Sequence, residues 1–268
     1  MTGSRARAGF VLAAALTVSC GGPLVKLPAG PGSPATDAAD ALREATMGCR
    51  AVSTFTSEMS VGGAVGGRRV RGRLLVGLAP PASVRLEAVA PFGQPLFFFI
   101  SRDGETTLLL PRDNRVMEHG ASRDVLDAVA GVPLGAADLR VALTGCTTVS
   151  DSSAGQQLGA DWRVVSDGPG ELHLHRDPHG APWRLVAAVH RDAGRSSWRA
   201  EYRDFENGLP RTIRLASLDA GRFDLRLTLS QVAINEPLDA SAFTLRIPAG
   251  AAPITLDELR RTGPLAAP

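Results

Sequence analysis

The chain has 268 residues, 44% of them hydrophobic, with 29 basic against 27 acidic side chains and a formal net charge of +2. That near balance excludes the electrostatic footprint of a nucleic-acid binder, and the apolar share is enough for a sizeable core. Arginine supplies almost all the basic charge, a bias of composition rather than a binding signal.

Residues 1–19 read as a targeting segment. Arg5 and Arg7 precede an apolar run from position 9 to 18, which ends in Leu16-Thr17-Val18-Ser19-Cys20. The run is too short to span a bilayer, which needs ~20 residues, but it suits the core of a signal peptide. The modest side chains before Cys20 match a lipobox, with Thr17 a less usual choice than leucine. The alternative is an ordinary signal peptide with a cysteine near its end. Diacylglycerol on the Cys20 thiol plus an acylated amine supplies two or more chains, enough for a stable membrane anchor. Gly21 stands where an aspartate would hold an enterobacterial lipoprotein in the inner membrane, so outer-membrane residence facing the periplasm is expected. Residues 20–35 then read as a lipidated, glycine- and proline-rich flexible tether. Residues 36–262 read as one folded domain and 263–268 as a disordered tail. No later stretch is apolar enough to span a membrane.

Residues 37–50 carry a helical pattern, with Ala41, Leu42, Ala45 and Met47 available to one side. Thereafter the period is two. Val70, Gly72, Leu74, Val76 and Leu78 alternate with Arg69, Arg71 and Arg73, and Val84, Leu86 and Ala88 alternate with Arg85 and Glu87. Leu172 and Leu174 alternate with His173 and His175, and Phe223, Leu225, Leu227 and Leu229 with Asp224, Arg226 and Thr228. Each is a strand with one dry and one wet face. Turn pairs such as Gly66-Gly67, Pro80-Pro81, Asp103-Gly104, Asp113-Asn114, His179-Gly180 and Asn207-Gly208 separate them, as does Gly168-Pro169-Gly170. About eleven strands, between positions 53 and 234, form an antiparallel meander on this pattern. The fold class is mainly β with short helices.

A helical excursion interrupts the meander. Ser122 is placed to cap a short helix with Val125, Leu126 and Val129 on one face and Asp124 near its start. Gly131 and Pro133 end it, and a second helix over 136–144 carries Leu139 and Leu143 four residues apart. A long one-sided sheet needs a cover for its apolar face, and these helices are short. Either the sheet curls until its own side chains fill the interior, or an apolar cavity survives beneath the helices. Cys49 and Cys146 are either two buried thiols or a disulfide. Export favours the bridge, which closes a loop of about 97 residues and adds roughly 4 kcal/mol in the chain-entropy model.

The stretch from position 84 to 146 resembles the LolB-like outer-membrane lipoprotein receptors of the LolA/LolB-like superfamily. A strand ends in Ala90-Pro91-Phe92-Gly93, followed by the apolar strand Leu96-Phe97-Phe98-Phe99-Ile100, an Asp103-Gly104 turn and a strand through Thr107 and Leu110. Asp113-Asn114-Arg115, a short helix, Gly131-Val132-Pro133-Leu134 and a helix with Asp138-Leu139-Arg140 ending at Gly145 complete the order. Residues 198–205, 210–218 and 223–234 are similar in layout. The resemblance implies a curved antiparallel half-barrel with a helical lid over an apolar cavity for acyl chains. Leu74, Val76, Val84, Leu86, Phe97, Phe99, Leu108 and Leu110 would line it. Val125, Leu126, Val129, Leu139 and Leu143 would face it from the lid. It also implies a monomer that takes lipoproteins from a soluble LolA-like periplasmic carrier and releases them into the outer membrane, without a cofactor. Phe92, between Pro91 and Gly93, stands where that family presents a leucine to the bilayer; its alternative is a core aromatic at a strand end. The chain departs from the family in three ways. The strand from Leu96 to Ile100 is apolar on both faces, leaving Leu96, Phe98 and Ile100 outside, under other structure or against a partner. Residues 147–160 and 243–268 are additional. Cys49 and Cys146 have no counterpart. A paralogue with different cargo, or an assembly lipoprotein binding a protein partner through the same sheet, stays open.

Chemistry is poorly represented. His173 and His175, with His179 and His190, form no convincing metal set and are expected on a solvated face. Asp161, Asp167, Glu171 and Asp177 read as outward-facing acids. Gly62-Gly63 and Gly66-Gly67 lack a P-loop ending, and no hydrolase motif is present. No catalytic centre and no metal site are expected.

Overall fold

The computed structural model describes residues 24–90, 92–147, 154–168, 170–178, 180–191, 197–219 and 221–262. Cys20, Pro91, residues 1–19 and the tail 263–268 lie outside them. The described chain opens with β1 (Ser33–Pro34), α1 (Ala38–Ala45) and α2 (Met47–Arg50). A meander follows: β2 (Phe55–Val65), β3 (Arg68–Ala79), β4 (Ser83–Val89), β5 (Pro95–Arg102), β6 (Glu105–Leu110) and β7 (Arg115–Gly120). Two helices, α3 (Ser122–Ala130) and α4 (Ala136–Thr144), interrupt it. It resumes with β8 (Gly155–Leu158), β9 (Trp162–Asp167), β10 (Gly170–His175), β11 (Arg184–His190), β12 (Trp198–Glu206), β13 (Leu209–Ser217) and β14 (Phe223–Ile234). A 3-10 turn (Ala240–Phe243), β15 (Ala252–Pro253) and α5 (Leu256–Thr262) close the chain.

Among the described residues these strands make one 15-stranded sheet, against about eleven expected from alternation alone. β14 pairs with β2, so the second half of the meander folds back to lie beside the first. Every pairing is antiparallel except that of β15 with β7. The sheet ends on β1 and β15 and does not close. The expected turn chemistry is present. Gly66 and Gly67, Asp103 and Gly104, and Asn207 and Gly208 all have positive φ, the backbone that two-residue hairpins of matching twist require.

The concave face is the dry one. Phe55, Met59, Phe99, Leu108, Leu174 and Ile213 are fully buried there, and alternation sends their neighbours to the convex face. Each such side chain contributes roughly 1.5–3 kcal/mol by leaving water. The helices supply the cover. Val125, Leu126 and Val129 of α3 and Leu139 and Leu143 of α4 belong to the same core cluster. Ser122 does not cap its own helix; its hydroxyl accepts from the Ala136 N–H at 3.2 Å and so opens α4 instead.

Two segments outside the expected meander clothe the sheet. The described part of the expected tether is held, not free. β1 pairs with β8, and the Val25 N–H donates to Glu201 Oε1 at 2.8 Å while Arg199 donates to the Val25 carbonyl. Glu201 is 1% exposed on the convex face of β12. At the other end of the sheet, the 3-10 turn packs on β4 and β5, and α5 packs on α3. Phe243, Ile100 and Leu109 are buried there. Ile100 thus lies under the chain's own C-terminal segment.

α1 is fastened to the sheet by charge. Asp37 takes a forked pair of hydrogen bonds from Arg163, at 2.7 and 2.9 Å. The Arg163 guanidinium, 7% exposed, stacks 4.8 Å from the Trp183 ring centre. The hydrogen bond from Arg163 holds the Asp37 carboxyl below its ordinary value of 3.8. A depressed carboxylate stabilises the fold above its unfolded pKa, and that contribution is lost as pH falls through the folded value. Asp37→Asn is therefore expected to lower the urea midpoint at neutral pH and to flatten the loss of stability below about pH 4. Parallel midpoint curves for the two proteins from neutral to acid pH would contradict this.

Candidate functional site

The apolar cleft lies at the Gly66-Gly67 end of the sheet, under the lid. Its walls come from the β2–β3 hairpin (Val61, Val65, Val70, Leu74), from β4 and β5 (Leu86, Leu96, Phe97) and from the lid (Leu126, Ala130, Leu139, Leu143). Leu215, Leu225 and Leu227 form its far side. The cavity volume is about 130 Å³, below the ~300–1,000 Å³ of sites for drug-sized ligands. The closed form thus has room for a short length of one hydrocarbon chain, and a longer guest requires the lid to give way.

The expected lining divides in two. Leu74, Leu86 and Phe97 face the cleft, as do Leu126, Leu139 and Leu143 of the lid. Val76, Phe99, Leu108 and Leu110 do not; they are packed into the core beneath it. Val125 and Val129 likewise seat the lid on the core and do not line the cleft. The reason is volume: aromatic and branched side chains on a tightly curved sheet fill the interior by themselves. Val84 faces a different hollow at the opposite end, of about 690 Å³, where Thr46, Ser83 and Arg140 mix with apolar groups. That mixed lining is a poor environment for hydrocarbon.

Leu96 belongs to the cleft because of a β-bulge. The register steps from Ala88 opposite Phe97 to Val89 opposite Pro95. Leu96 is the extra residue, and a bulge re-aims its side chain. Strict alternation would have sent it outside. Phe98 does face outward, half-buried, with the Arg85 guanidinium 5.8 Å from its ring centre.

The lid is tied at one end by a disulfide and at the other by an ion pair and packing. Cys146, just after α4, is joined to Cys49 of α2 by a disulfide with a Cα–Cα distance of 5.2 Å. Tyr202 donates its hydroxyl proton to the Val141 carbonyl at 2.7 Å, and Arg140 donates to the Val52 carbonyl at 3.0 Å. Burial pushes the Tyr202 phenol far above its ordinary pKa, so it stays protonated and keeps donating. At the cleft mouth, α3 is held by Asp127 and Arg222 at 2.6 Å, a pair more than a quarter exposed on each side. Gly131 then turns the chain with φ +68 against Val65; a Cβ there would sit 2.5 Å from Val65 Cγ1.

Phe92 stands beside the mouth. It is 96% exposed at the tip of the β4–β5 turn, which is drawn tight by Ala90 and Gln94 at 2.9 Å and by Gly93 at φ +83. A core role for this aromatic is ruled out.

Among the described residues the histidines offer no second site. His173 is not on a solvated face; it is 5% exposed, near Glu171, Arg191 and Arg199 on the convex face, and burial holds its imidazole below the ordinary value. His175 lies against Trp162, and His190 stacks on Trp198. Among the described residues no three His, Cys, Asp or Glu side chains are grouped to hold a metal ion. His179 lies outside them.

A half-open antiparallel sheet with a short helical lid over an apolar cleft is the architecture of an unclosed half-barrel. Sequence comparison matches no family model and no curated protein. Solved structures do match. A LolA superfamily protein of Nitrosomonas europaea is similar with a TM-score of 0.53 at 11% identity, over 79% of this chain and 99% of that one. A DUF1329 family protein of Desulfovibrio piger is similar with a TM-score of 0.50 at 11% identity, over 78% and 98%. The chain has the LolA-like fold.

Proposed function

We propose that this chain is an envelope lipoprotein, anchored through Cys20, that shelters acyl chains in the cleft and passes them to a membrane. Its cargo on this reading is the lipid moiety of lipoproteins, received from a soluble LolA-like periplasmic carrier and released into the outer membrane. The observation that carries it is the dry cleft under the helical lid, with a fully exposed phenylalanine at its mouth. Transfer between dry sites needs no cofactor, because each buried methylene is worth ~0.8 kcal/mol wherever it is buried. Small affinity differences between carrier, cleft and bilayer then set the direction. The rival reading, a protein partner bound through the same sheet, keeps the outward-facing Phe98 but not Ile100, which is covered.

Phe92→Glu tests the release step. The side chain is exposed, so stability should change by no more than about 0.5 kcal/mol. A carboxylate at the membrane surface opposes insertion, and lipoprotein delivery to the outer membrane should fall at least about ten-fold, while acyl chains still bind the cleft. Normal delivery by this variant would remove the loop from the mechanism.

A further inference from the structure

The β2–β3 hairpin reaches beyond its neighbour on one side. Arg73 pairs with Val89, the last residue of β4, so, among the described residues, positions 68–72 of β3 run on with no strand beside them on that flank. This overhang and the paired residue after it read Arg68-Arg69-Val70-Arg71-Gly72-Arg73, with all four arginines exposed and no acid among them. The paired segment of β2 from Met59 to Val65 also lacks a carboxylate; Glu58, just before it, is 3.1 Å from Arg73, and Asp224, opposite Ala64 on the far side of β2, is held by Arg214. In a chain whose overall charge is only +2, this is a concentrated cationic edge. Phe92 projects at the same end. Arg112, in the β6–β7 turn, donates to Gln94 at 2.8 Å and adds another cation against the Phe92 loop. The cleft opens between them, at Val65, Val70, Leu96 and Ala130.

Charge on an unpaired strand edge also guards against aggregation. That purpose does not account for a fully exposed phenylalanine placed next to it, which works against the guard. Cations flanking an exposed aromatic are instead the composition of a surface that meets lipid head groups. We infer that this end of the half-barrel docks on an anionic phospholipid bilayer, the hairpin arginines over phosphates and Phe92 in the interface. The inference rests on the cleft reading for its purpose, since docking here sets the cleft mouth against the membrane. The surface itself needs no occupied cleft.

The test uses the chain from Leu24 onward, which holds the whole described sheet, the lid and the disulfide. Its co-sedimentation is measured with phosphatidylcholine vesicles, with and without phosphatidylglycerol. Binding is expected only to the anionic vesicles and is expected to vanish in about 1 M salt, where the Debye length is ~3 Å. Arg68→Ser/Arg69→Ser should weaken it about thirty-fold, with an unchanged thermal transition and unchanged uptake of an acyl-chain probe. Equal binding to neutral vesicles, or a double variant that binds anionic vesicles like the parent, overturns the docking surface. Salt-sensitive vesicle binding with no probe uptake would instead overturn the cleft reading and leave the docking surface standing.

Discussion

Cys49→Ala/Cys146→Ala is expected to lose roughly 4 kcal/mol of stability, a fall in Tm of about 8–16 °C for a chain of this size. The bridge spans 97 residues of sequence, and the denatured chain regains the freedom of that whole loop when it is removed. Position makes the loss local as well. The bridge fastens the end of the lid helix α4 to α2, just ahead of β2, so without it α4 keeps the Tyr202 and Arg140 hydrogen bonds and its packing. Urea unfolding with and without reductant measures this directly. A midpoint indifferent to reductant would show that the bridge carries no stability.

Val70→Glu is expected to abolish acyl-chain binding while leaving the fold standing. Val70 lines the cleft mouth yet is only half-buried, so a glutamate there keeps its charge in water as long as the cleft is empty. A hydrocarbon guest would strip that water away. The desolvation cost, roughly 2–4 kcal/mol, corresponds to about a thirty-fold to nearly thousand-fold loss of affinity. Val70→Ile keeps the site apolar and should bind as the parent does. Titration with a fluorescent fatty-acid probe separates the two, and equal affinities would place the guest elsewhere.

The strands and the lid were readable because their signals are local. Alternation at Val70, Leu74 and Val76 or at Leu225 and Leu227 states which face is dry, and Asn207-Gly208 or Gly66-Gly67 states where the chain turns. The order of motifs from Pro91 to Gly145 was enough to indicate a half-barrel. Three features were not readable, each decided by a remote part of the chain. His173 alternates with leucines as a solvent-facing residue would, yet is buried. The region around Val25 lacks apolar weight, and its docking depends on Glu201, far away in sequence. Ile100 reads as an outward apolar residue, under other structure or against a partner, and only the segment around Phe243 decides which. Leu96 failed for a different reason. A bulge breaks the period of two, and nothing in Gln94-Pro95-Leu96 announces it beyond the proline. The size of the cleft was also hidden: alternation places Phe99, Leu108 and Leu110 on the inner face but does not say that they fill it.

The most direct measurement is photocrosslinking of the chain from Leu24 onward with a diazirine-bearing fatty acid, followed by peptide mapping. Adducts are expected on the cleft walls, at Val70, Leu96 and Ala130, competed by unlabelled fatty acid and absent from Val70→Glu. Labelling confined to the convex face, or an unlabelled protein, would contradict the claim that this half-barrel holds acyl chains beneath its lid.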